Sequence, residues 1–329
     1  MTTPRVGIIG TGMIAAAHAS ALGRSPALTL GGVHDVNPAA GEAFARTHGA
    51  TVEPDLDHLL AGNDAVIICT PNQTHVPLAD QVLAAGKPLL LEKPMALSGD
   101  DAERLRRGFA EAGLPLLVGH THRHSDYGRT VHQVISSGAL GRVKQVRIAI
   151  TGGWIWGGWQ AWVLDEQKSG GHAFHNGVHL YDLAHWWLDS PVVEAIGVGQ
   201  RLTSAALEFD DYLVATLTTE SGATAVCEIS RGEKPVSTSL FEIVVHGDQG
   251  TLRRQWNSEG WVSFTEAAAG PRPIPTSDPF ARQLDVFARA IASEPYSPDP
   301  ADAVHATRIA EAVARSAAAG LVEPVEVAR

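Results

Sequence analysis

The sequence has 329 residues, enough for two domains of roughly 150 residues each. Hydrophobic residues make up 44% and charged residues 19%, a globular balance that excludes a disordered chain. The net charge of −11 disfavours nucleic acid or an anionic membrane as a partner, and two cysteines form no disulfide framework. No apolar stretch reaches the roughly 20 residues of a membrane span, so we expect a soluble, cytoplasmic protein.

Up to about residue 120, short apolar runs alternate with segments that have apolar residues at helical spacing. The apolar runs are Val6–Gly10, Leu28–His34, Ala65–Thr70, Pro88–Glu92 and Leu114–Gly119. The helical segments between them include Ala39–His48, His75–Ala85 and Asp100–Ala112. Short, continuously apolar strands between helices are typical of a doubly wound parallel sheet that is buried on both faces.

After Val143 the pattern changes to consecutive strand-like segments, several of them alternating and rich in Thr and Val. They are Val143–Ile150, Val192–Gly199, Tyr212–Thr219, Ala223–Arg231, Thr238–Val245 and Gly250–Trp256. Glu220–Gly222 and Gly247–Gly250 are predicted hairpin turns. We therefore predict an α/β protein with a parallel-sheet domain at 1–121 and an α+β domain at 122–329 that has a large, open, mainly antiparallel sheet. A C-terminal helix at 301–321 is a candidate to pack back on the first domain.

A glycine turn follows the first apolar run, with the sequence Gly-Thr-Gly-Met-Ile-Ala at residues 10–15. This pattern fits the dinucleotide fingerprint of the Rossmann fold, with Ala15 as its third small residue. Gly10 permits a tight turn and Gly12 lets the backbone approach a pyrophosphate. The helix that starts at Met13 and Ile14 offers N–H groups to the phosphates, and Thr11 completes this predicted cofactor site.

Asp35 ends the second apolar run, about 20 residues after the glycine turn, where Rossmann proteins carry a ribose-binding acid. A carboxylate accepts hydrogen bonds from the ribose hydroxyls and repels a 2′-phosphate. The sequence therefore predicts NAD as the cofactor, with NADP disfavoured.

Several further motifs occur along the chain. One is Leu91-Glu92-Lys93-Pro94, and the others are Cys69–His75, Ala84–Pro88, Gly119–Arg123, Gly138–Val143, Gly177–His179 and Gly247–Leu252. With the glycine turn, these motifs resemble those of the Gfo/Idh/MocA family of sugar and cyclitol dehydrogenases over essentially the whole chain, and Leu91-Glu92-Lys93-Pro94 is the most specific of them.

The resemblance implies that Lys93 lies beside the nicotinamide and the substrate hydroxyl, where its ammonium can donate to the substrate oxygen. It also implies a cofactor site with Thr70, Pro71, Asn72, His75, Glu92 and Lys93. Glu92 could hold either the backbone or a cofactor hydroxyl. Pro94 fixes the backbone and would aim the lysine if its peptide bond is cis.

His179 stands where the family carries its catalytic histidine, and an imidazole takes a proton near neutral pH. The family also has an aspartate four residues earlier, but here that residue is His175. On a predicted helix His175, His179 and Asp182 share one face. Either His175 is catalytic, or it is an ordinary core or supporting histidine, or the three residues bind a metal. We assign no metal.

Trp154, Trp156, Trp159 and Trp162 lie within nine residues, which favours a pocket wall or a subunit interface. The candidate substrate-binding residues are Lys93, His122, Arg123, Trp154, Trp162, His175 and His179.

Together these features predict an NAD(P)-dependent dehydrogenase that acts on the CH–OH group of a secondary alcohol or hemiacetal in a sugar, cyclitol or related ring. Alternatives are a dehydrogenase of aromatic-catabolic semialdehydes in their hemiacetal form, a glycosidase that uses NAD transiently, and a non-catalytic NAD-binding sensor. The partner is a small-molecule substrate. The open C-terminal sheet predicts a homodimer or homotetramer.

Overall fold

The computed structural model describes residues 3–153, 161–201, 210–233, 239–255, 260–265, 269–273 and 277–327, without the side chains of 161, 239, 260–265 and 269–273. The chain folds into two compact units. The first contains Met1–Ala96, Asp100–His124 and Asp278–Val304, and the second contains Leu97–Gly99, Ser125–Ser277 and His305–Arg329. None of the described helices is both long enough and apolar enough to span a membrane.

The first unit has a six-stranded parallel sheet with the strand order β3-β2-β1-β4-β5-β6. Its strands are β1 (Arg5–Ile9), β2 (Thr29–His34), β3 (Thr51–Val52), β4 (Ala65–Ile68), β5 (Leu89–Leu91) and β6 (Leu116–Val118). The order reverses between β1 and β4, the switch point at which doubly wound sheets bind their ligands. The parallel sheet predicted from the apolar runs is therefore confirmed.

Successive residues of the central strands enter different hydrophobic clusters of the first unit. Ile68 belongs to one cluster and Ile67 to the other, and Leu89 and Leu90 divide in the same way. Since side chains alternate between the faces of a strand, the sheet is buried on both sides. The helices of this unit are α1 (Met13–Leu22), α2 (Pro38–His48), α3 (Leu56–Gly62), α4 (His75–Ala84), α5 (Gly99–Glu111, mostly in this unit), α6 (Thr121–His124) and α10 (Pro279–Ile291).

Helix α10 belongs to the first unit although it lies more than 150 residues after the boundary predicted near residue 121. Leu284 and Phe287 are fully buried in the same cluster as Val6 and Ile8 of β1. The predicted division at 121/122 therefore differs from the structure chiefly for residues 278–304, and also for 122–124, which belong to the first unit, and for 97–99, which belong to the second. The reason is that an amphipathic helix joins the core that covers its apolar face, irrespective of its position in the sequence.

The second unit is built on a nine-stranded sheet with the order β14-β13-β12-β11-β7-β10-β9-β8-β15. Its strands are β7 (Val143–Gly152), β8 (Val192–Gln200), β9 (Tyr212–Thr219), β10 (Thr224–Ser230), β11 (Ser239–Gly247), β12 (Gly250–Gln255), β13 (Gly260–Thr265), β14 (Ala269–Pro273) and β15 (Glu323–Pro324). Among these described strands, β7 and β10 alone pair in parallel. The mainly antiparallel sheet and the hairpins β9–β10 and β11–β12 were predicted correctly.

One face of this sheet packs against helices of the second unit, in a core that includes Trp187 and Val313. The helices of this unit are α7 (Asp126–Ser136), α8 (Glu166–Ser169), α9 (Val178–Leu188) and most of α11 (Pro300–Ala319), and residues of α7, α9 and α11 belong to this core. Side chains on the other face are only half-buried along β9 and β10, where burial alternates along all of β9 and along β10 up to Ile229. Arg147 lies on this outer face and pairs with Glu242 at 2.6 Å and Glu228 at 3.3 Å.

Candidate active site

The glycine turn connects β1 to α1. Gly10 has φ +85°, and a Cβ on it would lie 2.8 Å from Thr70 Cγ2, so that a side chain is excluded here. Gly12 occupies the N-cap position of α1, where no side chain accepts a hydrogen bond from the first turn of the helix. A Cβ on Gly12 would meet nothing within 4 Å. The open space before an uncapped helix N-terminus fits a pyrophosphate. Met13 and Ile14 are exposed there, at 78% and 40%.

Asp35 directly follows β2 and faces the glycine turn. Its Oδ2 accepts hydrogen bonds from Thr11 N at 2.8 Å and from Thr11 Oγ1 at 2.7 Å. Its Oδ1 accepts from Asn37 N at 2.8 Å. The carboxylate is half-buried and fixed at the carboxyl end of the strand, as a ribose-binding acid would be.

The turn after β4 contains the predicted cofactor residues Thr70, Pro71, Asn72 and His75. Thr70 and Pro71 are half-buried, whereas Asn72 and His75 are buried. The imidazole of His75 lies between two carbonyls, with Nδ1 at 2.7 Å from Pro94 O and Nε2 at 3.0 Å from Thr70 O. Burial lowers the pKa of His75 although both carbonyls favour its charged form. His75 therefore ties two backbone turns together.

The Glu-Lys-Pro motif follows β5, and the Lys93–Pro94 peptide bond is cis. Lys93 is half-buried, whereas Glu92 is buried. Glu92 accepts from the backbone N–H of Lys93 with Oε2 at 3.3 Å, and its Oε1 lies 2.8 Å from His18 Nε2. Of the two roles predicted for Glu92, the structure shows the contact with the backbone.

His18 is a residue that the sequence reasoning missed. It lies on the buried face of α1 with Ala15 and Leu22, and its side chain is fully buried. A polar residue in a helix that is otherwise almost entirely apolar is the signal that could have identified it, because such a residue needs a partner when it is buried.

Helix α6 carries two predicted substrate residues, His122 and Arg123. His122 is half-buried. Arg123 is buried, and its guanidinium donates to Asp302 Oδ2 at 2.6 Å within the same unit. Its substrate role stays a prediction.

In the second unit the predicted histidine helix contains a π-helical turn at Ala173–Gly177, directly before α9. His175 lies within this wider turn, so the α-helical spacing predicted for His175 and His179 is wrong. His175 and Asp182 are buried, and His179 is half-buried. π-turns of this kind often occur at functional sites.

Trp162 contacts His175 edge to face, with ring centroids 5.3 Å apart. Trp154, Trp156 and Trp159 lie outside the described residues. The role predicted for the four tryptophans, in a pocket wall or a subunit interface, stays a prediction.

A buried polar network that the sequence reasoning also missed holds the π-turn. Arg231 follows β10 and donates to Asn176 Oδ1, and Asn176 Nδ2 lies 3.4 Å from His172 Nδ1. Burial and the charge of Arg231 lower the pKa of His172 to about 3, so its ring is neutral at pH 7. Burial lowers the pKa of Arg231 to about 9. Within the described ranges, no group of three His, Cys, Asp or Glu side chains is placed to hold a metal.

Comparison with known proteins identifies the family of this chain. Residues 4–120 match the model of the Gfo/Idh/MocA oxidoreductase family with an NAD-binding Rossmann fold, and residues 129–253 match the model of its C-terminal domain. These two segments contain the glycine turn, the Glu-Lys-Pro motif and the histidines of the π-turn.

The similarity to individual proteins extends along the full chain. Inositol 2-dehydrogenase of Rhizobium meliloti (strain 1021) is 29% identical over 333 residues, 96% of this chain and 97% of the relative. Inositol 2-dehydrogenase 2 of Saccharopolyspora erythraea is 29% identical over 344 residues, covering 99% of this chain and 96% of the relative.

Among solved structures, GenD2 from gentamicin A biosynthesis, in complex with NAD, superposes with a TM-score of 0.88 at 27% identity. The match covers 99% of this chain and 97% of GenD2. The chain belongs to the Gfo/Idh/MocA oxidoreductase family and carries that family's NAD-binding Rossmann domain.

Proposed function

We propose that the protein is an NAD-dependent dehydrogenase that acts on a secondary alcohol or hemiacetal in a sugar, cyclitol or related ring. The observation that carries the proposal is the similarity to inositol 2-dehydrogenases along 96–99% of the chain. Lys93 and His179, at the positions where the family resemblance expects reacting groups, support it further. The two cysteines are free, which fits a reducing compartment such as the cytoplasm.

The cofactor would be held by groups at the carboxyl end of the parallel sheet. The backbone at Gly10–Ile14 offers N–H groups to the pyrophosphate, and Asp35 accepts hydrogen bonds from ribose hydroxyls. Bound NAD supplies the hydride acceptor. The open space in front of Gly12 is the observation that supports this fit.

The protein's own groups would handle the proton. Lys93 donates a hydrogen bond to the substrate oxygen, and His179 accepts the hydroxyl proton as the C–H hydride leaves. The alcohol becomes a carbonyl, and NAD⁺ becomes NADH. These roles rest on the family resemblance. His175 stands where the family has an aspartate that would assist Lys93 and His179.

The first test is a screen for NADH absorbance with inositols, aldoses, keto-sugars and aromatic semialdehydes as substrates. We expect stoichiometric NADH release with at least one cyclitol or sugar. NADH released only with a semialdehyde would favour the alternative dehydrogenase. Turnover without net NADH would indicate transient oxidation, and NAD binding without any turnover would indicate a sensor.

Cofactor preference is expected to follow Asp35. Asp35→Ser removes the carboxylate, and Val36→Arg adds a cation that can bind a 2′-phosphate. Val36 is 95% exposed, so that the added arginine fits there. We expect the ratio of kcat/KM for NAD over NADP to fall by at least about tenfold. Val36→Arg alone is the matched control, because Asp35 is retained. A wild-type enzyme that uses NADP better than NAD would contradict the proposal.

The proton-transfer roles predict that single substitutions are not additive. His179→Ala should lower kcat by roughly two to four orders of magnitude, and Lys93→Ala should do comparable damage. The double variant should lose much less than the sum, because both residues serve one transfer step. If steady-state kinetics instead show that the two losses in kcat are additive, Lys93 and His179 do not serve one transfer step.

His175→Asp serves as the comparison within this series. It restores the family carboxylate beside Trp162, and we expect kcat and the acid limb of its pH profile to change. The affinity for NAD should stay constant, since Gly10–Ile14 and Asp35 lie in the other unit. If kcat, KM and pH profile are all unchanged, His175 takes no part in the chemistry.

We also propose that the outer face of the second unit's sheet pairs with another copy, giving a dimer or a dimer of dimers. Ile196 and Val226 are in register across this face through Thr216. Ile196→Glu with Val226→Glu would bury two added carboxylates in that interface, so light scattering should report a monomer. Leu321→Glu, at a site 65% exposed outside the sheet, is the control. A wild-type monomer at micromolar concentration would refute the proposal.

A further inference from the structure

A buried histidine–carboxylate pair lies behind the proposed reacting lysine and is not used by the proposed chemistry. His18 in α1 and Glu92 after β5 are both buried, with Nε2 and Oε1 2.8 Å apart. The ring of His18 also packs edge to face on Phe280, with centroids 5.0 Å apart. Burial of a polar pair of this kind costs desolvation free energy, which the contacts made by the two side chains must offset.

The Glu92 carboxylate is enclosed on several sides. Oε2 accepts from the backbone N–H of Lys93 at 3.3 Å. A Cβ added to Gly119, after β6, would lie 2.9 Å from Cδ and from both carboxylate oxygens. A larger residue at 119 would therefore displace the carboxylate. Glu92 is fixed between α1, the end of β6 and the backbone of Lys93.

The charge of this carboxylate depends on His18. Burial favours the neutral acid, but the hydrogen bond and charge of His18, together with Lys93, hold the pKa of Glu92 below its usual range. Cys69, whose pKa burial raises, and His75, whose pKa burial lowers, also respond electrostatically to Glu92. Within the Glu-Lys-Pro motif, Lys93 is thus the group that carries a positive charge near Glu92.

His18 must donate its Nε2–H, because an ionised carboxylate can only accept. Its Nδ1 is buried and has no hydrogen-bond partner among the described residues. Nε2 is therefore the atom through which His18 holds Glu92.

We propose that His18 is a positioning residue for Lys93. It keeps Glu92 ionised and in place, and Glu92 in turn holds the backbone N–H of Lys93 and places a negative charge beside its ammonium. The proposal rests on the proposed function only in that Lys93 acts on the substrate. The physical link from His18 to Lys93 is independent of which substrate is used.

The experiment compares His18→Leu, which removes the donor, with His18→Gln, whose side-chain amide can still donate to Oε1. His58→Leu is the matched control, because His58 makes a similar contact with Asp55, at 2.7 Å, on the surface. Lys93 is followed in the protein without cofactor by acetylation over a range of pH, read by mass spectrometry of its peptide. Exposed Lys144 is the internal reference.

In His18→Leu, Glu92 loses its donor and its burial then favours the neutral acid, so the ammonium of Lys93 loses a neighbouring charge. We expect the labelling profile of Lys93 to move to lower pH by about one unit, while that of Lys144 stays in place. kcat should fall at least about tenfold, with the Kd for NAD within about twofold. His18→Gln should recover both properties, and His58→Leu should change neither.

Glu92→Gln provides a second route if His18→Leu does not fold. It removes the charge in nearly the same volume and should shift the labelling of Lys93 in the same direction. An unchanged labelling profile in both variants, or a His18→Gln variant as impaired as His18→Leu, would overturn the proposal and leave His18 a packing residue. If labelling shifts while Lys93→Ala keeps full activity, the positioning link stands and the proposed role of Lys93 fails.

Discussion

Every group of the candidate cofactor site depends on one constraint, the burial of both faces of the parallel sheet in the first unit. Its central strands have no exposed face on which a polar side chain could act, because Ile67 and Ile68 enter clusters on opposite sides. The available positions are the ends of the strands. Polar and glycine residues accordingly follow the strands at their carboxyl ends: Gly10 after β1, Asp35 after β2, Thr70 after β4, Glu92 after β5 and Gly119 after β6. Parallel strands bring these ends to the same edge.

Buried polar pairs connect these strand ends to the elements around them. Glu92 joins β5 to α1 through His18, and His75 joins the turn after β4 to Pro94. Buried hydrogen-bonded groups of this kind fix one arrangement of the backbone, because breaking any contact leaves an uncompensated polar atom. The second unit uses the same device, with Arg231 and Asn176 at the π-turn that carries His175.

The candidate site was partly predictable. The glycine turn and Asp35 are local signals, since a strand, a tight turn and a helix start succeed each other in the chain. The Glu-Lys-Pro motif was recognisable by resemblance, but the contact of Glu92 with His18 spans 74 residues and has no local signature. The π-turn was missed for a similar reason: its extra residue is stabilised by Arg231, 55 residues beyond Asn176, whereas the sequence of the helix alone favours α-helical spacing.

The sequence by itself determined the alternation of strands and helices, the two sheet types and the dinucleotide turn, because each of these depends on spacings of a few residues. Only the tertiary structure decided that α10 completes the core of the first unit, and that Arg123 pairs with Asp302 across 179 residues. The same holds for the enclosure of Glu92 by His18 and Gly119. The physical reason is that periodicity shows which side chains must be buried, but a buried polar group takes its partner from any element that the fold brings within hydrogen-bonding distance.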